Sequence, residues 1–218
     1  MFDALIKVGG SLYQHPGLRA SAAAWARLAA RHRLLVLPGG GPFADQVRAA
    51  GAQVGLSDEA AHWMAILAID QYGYLLADLA PRAAVTHDLN AAAAVCAAGR
   101  LAVLAPSTLL LQVDPLPHSW QVTADSIAAW LAGYVGCQRL ALLKSIAGVY
   151  RAAPQEDSPA LLEAISRREL AGQDVVDPYF VEALPAECEC WLIDGRQPQR
   201  LQELLERGRT VGTRVVGS

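Results

Sequence analysis

At 218 residues, 53% hydrophobic and 18% charged, the chain can bury one substantial core and is too apolar to be disordered or fibrous. Its net charge of −3, from 18 basic and 21 acidic residues with no arginine-rich run, argues against nucleic acid as a partner. No apolar stretch reaches the roughly 18–20 residues of a membrane helix, and the start reads as a strand containing Asp3 and Lys7 rather than a signal peptide, so the expected location is cytoplasmic.

In chain order, the first predicted strand, Ala4 to Val8, carries one lysine, Lys7, and ends in Gly9-Gly10-Ser11. A charge within an apolar run is costly unless an anion meets it. Paired glycines let backbone amides approach that anion, and phosphate is the natural candidate. An alanine-rich helix over Gly17–His32 follows, with Trp25 and Leu28 on one stripe. Strand two, Leu34–Leu37, opens into Pro38-Gly39-Gly40-Gly41-Pro42, where three glycines before a helix suit amides wrapped around an anion. A short helix over Phe43–Ala50 and a loop over Gly51–Leu56 come next. Ser57 then caps a long helix to Asp78, with Asp58, Glu59 and His62 near its start and Asp70 further along. This acidic group is either a solvated face or a patch for a cationic part of a substrate.

Further strands are predicted at Ala83–Thr86 and Leu101–Leu104, with a helix at Leu89–Ala98, a helical turn at Pro106–Leu111 and a loop over Gln112–Trp120. Val122-Thr123-Ala124-Asp125-Ser126 opens an apolar helix to about Val135. Asp125 there is a helix cap or a carboxylate that orients lysines, and the residues alone do not decide. Strand Leu140–Leu143 ends in Lys144, at the carboxyl end where open α/β sheets bind ligands. A turn over Ser145–Tyr150 contains Gly148, and Arg151–Pro159 reads as a polar surface loop. Short helices at Ser166–Ala171 and Pro178–Leu184, a strand at Glu189–Ile193, a helix at Pro198–Arg207 and a strand at Thr213–Val216 complete the pattern. Alternating strands and helices predict a single α/β domain, a largely parallel sheet covered on both faces.

Neither a Walker A loop nor a G-x-G-x-x-G after strand one is present. Cys96, Cys137, Cys188 and Cys190 form no C-x-x-C pair and read as reduced thiols; no H-x-x-x-H spacing occurs, so no residue is assigned as a metal ligand. Lys7 and Lys144 are the candidate cations around a transferring phosphoryl group, since such transfer needs positioning and charge more than covalent chemistry. Arg48, on the short helix behind the second glycine turn, is a candidate for an acceptor phosphate or a solvated surface charge.

Taken together these segments resemble the amino acid kinase family. Ile6-Lys7-Val8-Gly9-Gly10-Ser11 is similar to the family's opening motif, Pro38-Gly39-Gly40-Gly41 to its second glycine loop and Thr123-Ala124-Asp125-Ser126-Ile127-Ala128 to the segment with a lysine-organising aspartate. Leu142–Tyr150 resembles the nucleotide-binding strand and turn, and Gly212-Thr213 the Gly-Thr near the family's C-terminus. The resemblance implies a three-layer αβα fold, ATP with Mg²⁺, and a homo-oligomer. It implies an acceptor lobe over about 1–120 and a nucleotide lobe over about 121–218. Lys7, Asp125 and Lys144 become the catalytic set. Gly9, Gly10, Ser11, Lys144, Ser145, Gly148, Val149 and Tyr150 become the nucleotide contacts, and Gly39, Gly40, Gly41, Arg48, Asp58 and Thr123 the substrate contacts.

Two departures narrow the choice. The region Val175–Phe180 carries no lysine where members often have one, a role that would pass to Lys144, and Ser145-Ile146-Ala147 replace the usual acids before Gly148. Ser57–Ile66, Asp70–Gly73 and Lys144 look like the small kinases of methanofuran-type (methylofuran) cofactor synthesis. Those kinases convert (5-(aminomethyl)furan-3-yl)methyl phosphate to a diphosphate. The alternatives are a carboxylate or uridylate kinase of the same fold, or a non-catalytic nucleotide or oxyanion sensor.

Overall fold

The protein is described here from a computed structural model, which covers residues 2–151 and 160–217. All of the Arg151–Pro159 loop except Arg151 lies outside the described residues. The first half runs β1 (Ala4–Val8), a 3-10 turn (Gly10–Gln14), α1 (Leu18–Leu28), β2 (Leu34–Pro38), α2 (Gly41–Val54), α3 (Asp58–Leu79), β3 (Ala84–Thr86), α4 (Leu89–Ala97), β4 (Ala102–Leu104) and α5 (Ser107–Val113). The second runs α6 (Ala124–Tyr134), β5 (Arg139–Lys144), β6 (Tyr150–Arg151), β7 (Ala160–Leu161), β8 (Ala164–Ser166), α7 (Arg167–Leu170), α8 (Phe180–Ala183), β9 (Glu189–Asp194), α9 (Gln199–Arg207) and β10 (Thr213–Val216).

Eight strands form one sheet in the order β3-β4-β2-β1-β5-β9-β10-β8. From β3 to β9 every pair is parallel; β10 runs antiparallel to β9, and β8 parallel to β10. The sheet is continuous between the two halves of the chain, because β1 pairs with β5. Two apolar layers cover it. Leu5, Leu140 and Leu142 face α6, while Ala4, Ile6, Val8, Ala141 and Leu143 face Trp25 and Leu28 of α1 and Leu201 and Leu204 of α9. With both faces covered, β1 and β2 are buried at every position, which is why they read as continuous apolar runs. The expected three-layer α/β sandwich is the observed fold.

Several expected boundaries change. The segment read as a loop over Gly51–Leu56 is helical to Val54; α2 stops at Gly55, whose φ of 71° suits glycine and whose amide donates to Gly51 O at 2.9 Å. Gly51 reads as a breaker in sequence, yet the helix passes through it. The β6–β7 hairpin and β8 were not expected, being two or three residues each. Ser57 caps α3 as expected, its hydroxyl accepting from the Ala60 amide. All four cysteines are free and buried; burial pushes the Cys96 thiol up to about 11 and the Cys188 thiol to about 12. Among the described residues no helix is long and apolar enough to cross a membrane.

Candidate active site

The period of two along a strand decides where the lysines go. Lys7 lies two residues after Leu5, and Lys144 two after Leu142, so both point to the α6 side of the sheet. β1 and β5 are neighbours, and Lys7 is level with Leu142. The two ammonium groups therefore converge beyond the carboxyl ends of adjacent central strands, where the N-terminus of α6 brings Asp125. Lys7 Nζ lies 2.9 Å from Asp125 Oδ1, an ion pair without the alignment of a hydrogen bond. Lys144 Nζ donates to Oδ2 at 2.5 Å. Lys7 and Asp125 are only 6% and 5% exposed.

Burial works against the Asp125 carboxylate, but the flanking Lys7 and Lys144 charges outweigh it and hold its pKa below the usual carboxylate range. Burial, with Lys7 second, lowers the pKa of Lys144, and Asp125 opposes the drop. Two cations on one carboxylate leave a net positive charge at a buried strand end.

Asp125 does not cap α6. Thr123 does, its hydroxyl accepting from the Asp125 amide at 3.3 Å. A second acid, Asp177, completes the cap from far along the chain. Its Oδ2 accepts from Thr123 N at 2.9 Å, Thr123 Oγ1 at 2.7 Å and Ser126 N at 3.0 Å, and its Oδ1 accepts from Ser126 Oγ. Asp177 thus frees Asp125 to face the lysines. It lies in the Val175–Phe180 region, where the sequence drew attention only to a missing lysine; no local signal marked it.

The two glycine turns pack against each other. A Cβ at Gly10 would sit 2.6 Å from the Gly41 nitrogen, and one at Gly39 2.8 Å from the Gly10 nitrogen. Within each turn the glycines divide their work. Gly9 and Gly39 spend their amides on Leu143 O and Val8 O, both at 2.8 Å. Gly10 and Ser11 open the 3-10 turn, while Gly40 caps α2 and Gly41 begins it, so their amides have no acceptor within their own helices. Gly10, Ser11, Gly40 and Gly41 line a cavity of about 490 Å³, a size that suits a small molecule.

Lys7 forms part of the cavity floor, and Thr123 and Ala124 contribute the start of α6. The lining also carries Asp45, Arg48, Asp58, His62 and Trp120 and the apolar Ile66, Ile69 and Ile127. Arg48 pairs with Asp45 at 2.9 Å and stacks over Trp120, its Cζ 4.7 Å from the ring centroid. Of the acids expected for a cationic substrate, Asp58 lines the cavity. Asp70 does not: its Oδ1 accepts from the Ser107 amide at 3.2 Å, at the start of α5. Thr123 is present, but its hydroxyl proton already goes to Asp177.

The remaining predicted nucleotide contacts, Ser145, Gly148, Val149 and Tyr150, lie outside this cavity, beyond the end of β5. Thr213 organises them: its Oγ1 accepts from Val149 N at 2.8 Å and donates to Leu162 O at 2.6 Å. A Cβ at Gly148 would lie 2.4 Å from that hydroxyl, and one at Gly212 2.6 Å from Leu192 O. The paired Gly-Val and Gly-Thr motifs are thus two sides of one contact.

Comparison with known proteins shows what the chain is similar to. A curated relative from Methanocaldococcus jannaschii, [5-(aminomethyl)furan-3-yl]methyl phosphate kinase, is 26% identical, with 98% of this chain and 97% of the relative aligned. A uridylate kinase from Methanospirillum hungatei is 29% identical over 97% of this chain and 93% of its own. The crystal structure of uridylate kinase from Archaeoglobus fulgidus superposes with a TM-score of 0.76 at 21% identity, covering 99% of this chain and 100% of that one. The family model described as "Amino acid kinase family" matches residues 4–180. The chain belongs to the amino acid kinase family, and it is a kinase.

Proposed function

We propose that the protein transfers the γ-phosphoryl group of ATP to the phosphate of a small phosphomonoester, giving a diphosphate, and that the acceptor is (5-(aminomethyl)furan-3-yl)methyl phosphate. The observation that carries this reading is the Lys7–Asp125–Lys144 ion group, whose Lys7 lines the same cavity as Arg48 and Asp58. An acceptor phosphate oxygen would attack the γ-phosphorus, the bond to the β,γ-bridging oxygen would break, and ADP would leave with that electron pair. A phosphate monoester, with its second pKa near 6, is already deprotonated and needs no general base. That fits a site whose carboxylate is held by two lysines and is a poor base. Asp125 would instead fix both ammonium groups where charge spreads over the transferred group.

On this reading Lys7, with the amides of Gly10, Ser11, Gly40 and Gly41, meets the phosphates between the acceptor lobe (about 1–120) and the nucleotide lobe (about 121–218). Ser145 and Gly148–Tyr150 meet the nucleotide. Mg²⁺ would arrive on the triphosphate and neutralise part of its charge, because Asp125 is already engaged by both lysines. Arg48 and Asp58 would read the acceptor's phosphate and amine, and Ile66, Ile69, Ile127 and Trp120 its ring. Met64, Leu67 and Tyr74 of α3, exposed with Leu111 of α5, offer an apolar face for the expected homo-oligomer. We place the enzyme in the cytoplasm.

The test is incubation with ATP-Mg²⁺ and, separately, the aminomethylfuran phosphate, its amine-free analogue and uridylate, with mass spectrometry of the products. The expected result is a diphosphate of the first, formed fastest. Preference for uridylate, or equal use of both furan phosphates, would overturn the acceptor assignment. No ADP release with any phosphate acceptor would overturn the reaction class.

A further inference from the structure

At the rim of the cavity stands a cluster that phosphoryl transfer does not use. His62 follows Asp58 by one turn of α3, and Asp114 and His118 lie just beyond the end of α5. The His62 and His118 rings stack with centroids 4.1 Å apart and 17° between their planes. His118 Nε2 lies 2.8 Å from Asp114 Oδ1. One nitrogen of each imidazole and one carboxylate oxygen all fall within 4.8 Å of one another. Asp114 holds a left-handed backbone, φ 42°, uncommon for a residue other than glycine.

A stacked imidazole pair gains little if both rings are charged, since like charges repel. Two imidazoles and a carboxylate are the donor set of a borderline divalent transition ion, whereas Mg²⁺ prefers an all-oxygen shell. At metal–nitrogen distances of about 2.0–2.1 Å the donors would have to draw in to roughly 3.3 Å from one another. The donors here already lie within 4.8 Å of one another, so side-chain rotation of exposed and half-buried residues is the movement required.

We propose that His62, Asp114 and His118 form a site for a divalent transition ion such as Zn²⁺, with at least one coordination position left for solvent, and that the ion clamps the segment after α5 onto α3. The same segment continues to Trp120, the ring that covers Arg48. The proposal does not depend on which acceptor the kinase uses.

The test uses the full chain, stripped with chelator and titrated with Co²⁺ as the probe. Trp63 lies edge-on to both imidazoles, 5.0 and 5.3 Å between centroids, so bound Co²⁺ should quench its fluorescence. The expected result is one Co²⁺ per chain with the visible absorption of a low-coordinate ion, displaced by Zn²⁺ and not by excess Mg²⁺. The melting temperature should rise with Zn²⁺ concentration, because the ion binds the folded state. H62Q, H118Q and D114N should each weaken binding about tenfold or more, and W63F should bind normally while losing part of the quenching. The histidine variants keep their places at the rim, and circular dichroism checks their fold. A spectrum unchanged from aqueous Co²⁺ overturns the proposal, as does binding equally tight in H62Q and H118Q.

Discussion

The Gly10–Gly41 rim of the sheet and the Gly148–Thr213 rim are both built on glycine, yet they use it differently. At the first rim Gly10 and Gly41 let two turns meet, and the amides of Gly10, Ser11, Gly40 and Gly41 face a formed cavity. At the second rim Gly148 makes room for the Thr213 hydroxyl, and the next amide, Val149, is consumed by that contact. Glycine allows close approach in both places; what approaches is the other glycine turn in one and the protein's own C-terminal strand in the other. The lysine–aspartate group lies between the rims, drawing Lys7 from β1 and Lys144 from β5. A charge change at the centre should therefore disable transfer to any acceptor, while a change at either rim should affect one substrate.

The largest expected effect is at the centre. Lys7→Ala should lower turnover by about 10²–10³, the usual cost of one preorganised electrostatic contact, with the fold intact by circular dichroism. Turnover within a factor of a few of wild type would remove Lys7 from the chemistry.

The rims should separate next. Arg48→Met should raise the acceptor KM about tenfold or more, in line with the roughly 1.5–3 kcal/mol of a hydrogen bond to a charged group, and leave the ATP KM close to wild type. Equal rises for both substrates would mean that Arg48 only shapes the wall with Trp120. Thr213→Val should do the reverse. It strips the Val149 amide of its acceptor and should cost about 1–3 kcal/mol of stability, measurable by denaturant titration, while raising the ATP KM several-fold and sparing the acceptor. If the acceptor KM moves as much as that of ATP, the two rims are not independent.

The smallest effect is on pH. Because burial and Lys7 lower the Lys144 pKa, turnover should decline on the alkaline side before an ordinary lysine, near 10.4, would lose its proton. Asp125 raises that pKa, so Asp125→Asn should move the alkaline limb to lower pH in whatever activity remains. A limb that stays put would mean another group sets it. The carboxylate has the opposite sense. Its lowered pKa means that it stabilises the folded state above the unfolded value near 3.9, and that this contribution disappears as pH falls through the folded value.

The sequence by itself determined the elements whose signal is local. β1 and β2 were legible because strands covered on both faces are uninterrupted apolar runs, and Lys7 stood out because it breaks one. α3 was legible from Ser57 and its first-turn acids. Five short motifs in a fixed order were enough for the family. Everything that joins distant residues waited for the tertiary structure. Whether Asp125 capped a helix or held lysines could not be read from its neighbours, since Lys7 is far away in sequence and Asp177, which completes the cap, is 51 residues beyond Ser126. Asp70 shared a helix with Asp58 but faces α5, because residues twelve apart on a helix stand about 18 Å apart along its axis and about a third of a turn apart around it. The His62–Asp114–His118 cluster had no zinc spacing because its donors come from α3 and from the segment after α5. The chain's composition fixed which residues could carry charge into the interior; only the register of β1 on β5, and the helix laid across them, decided that two lysines would share one carboxylate.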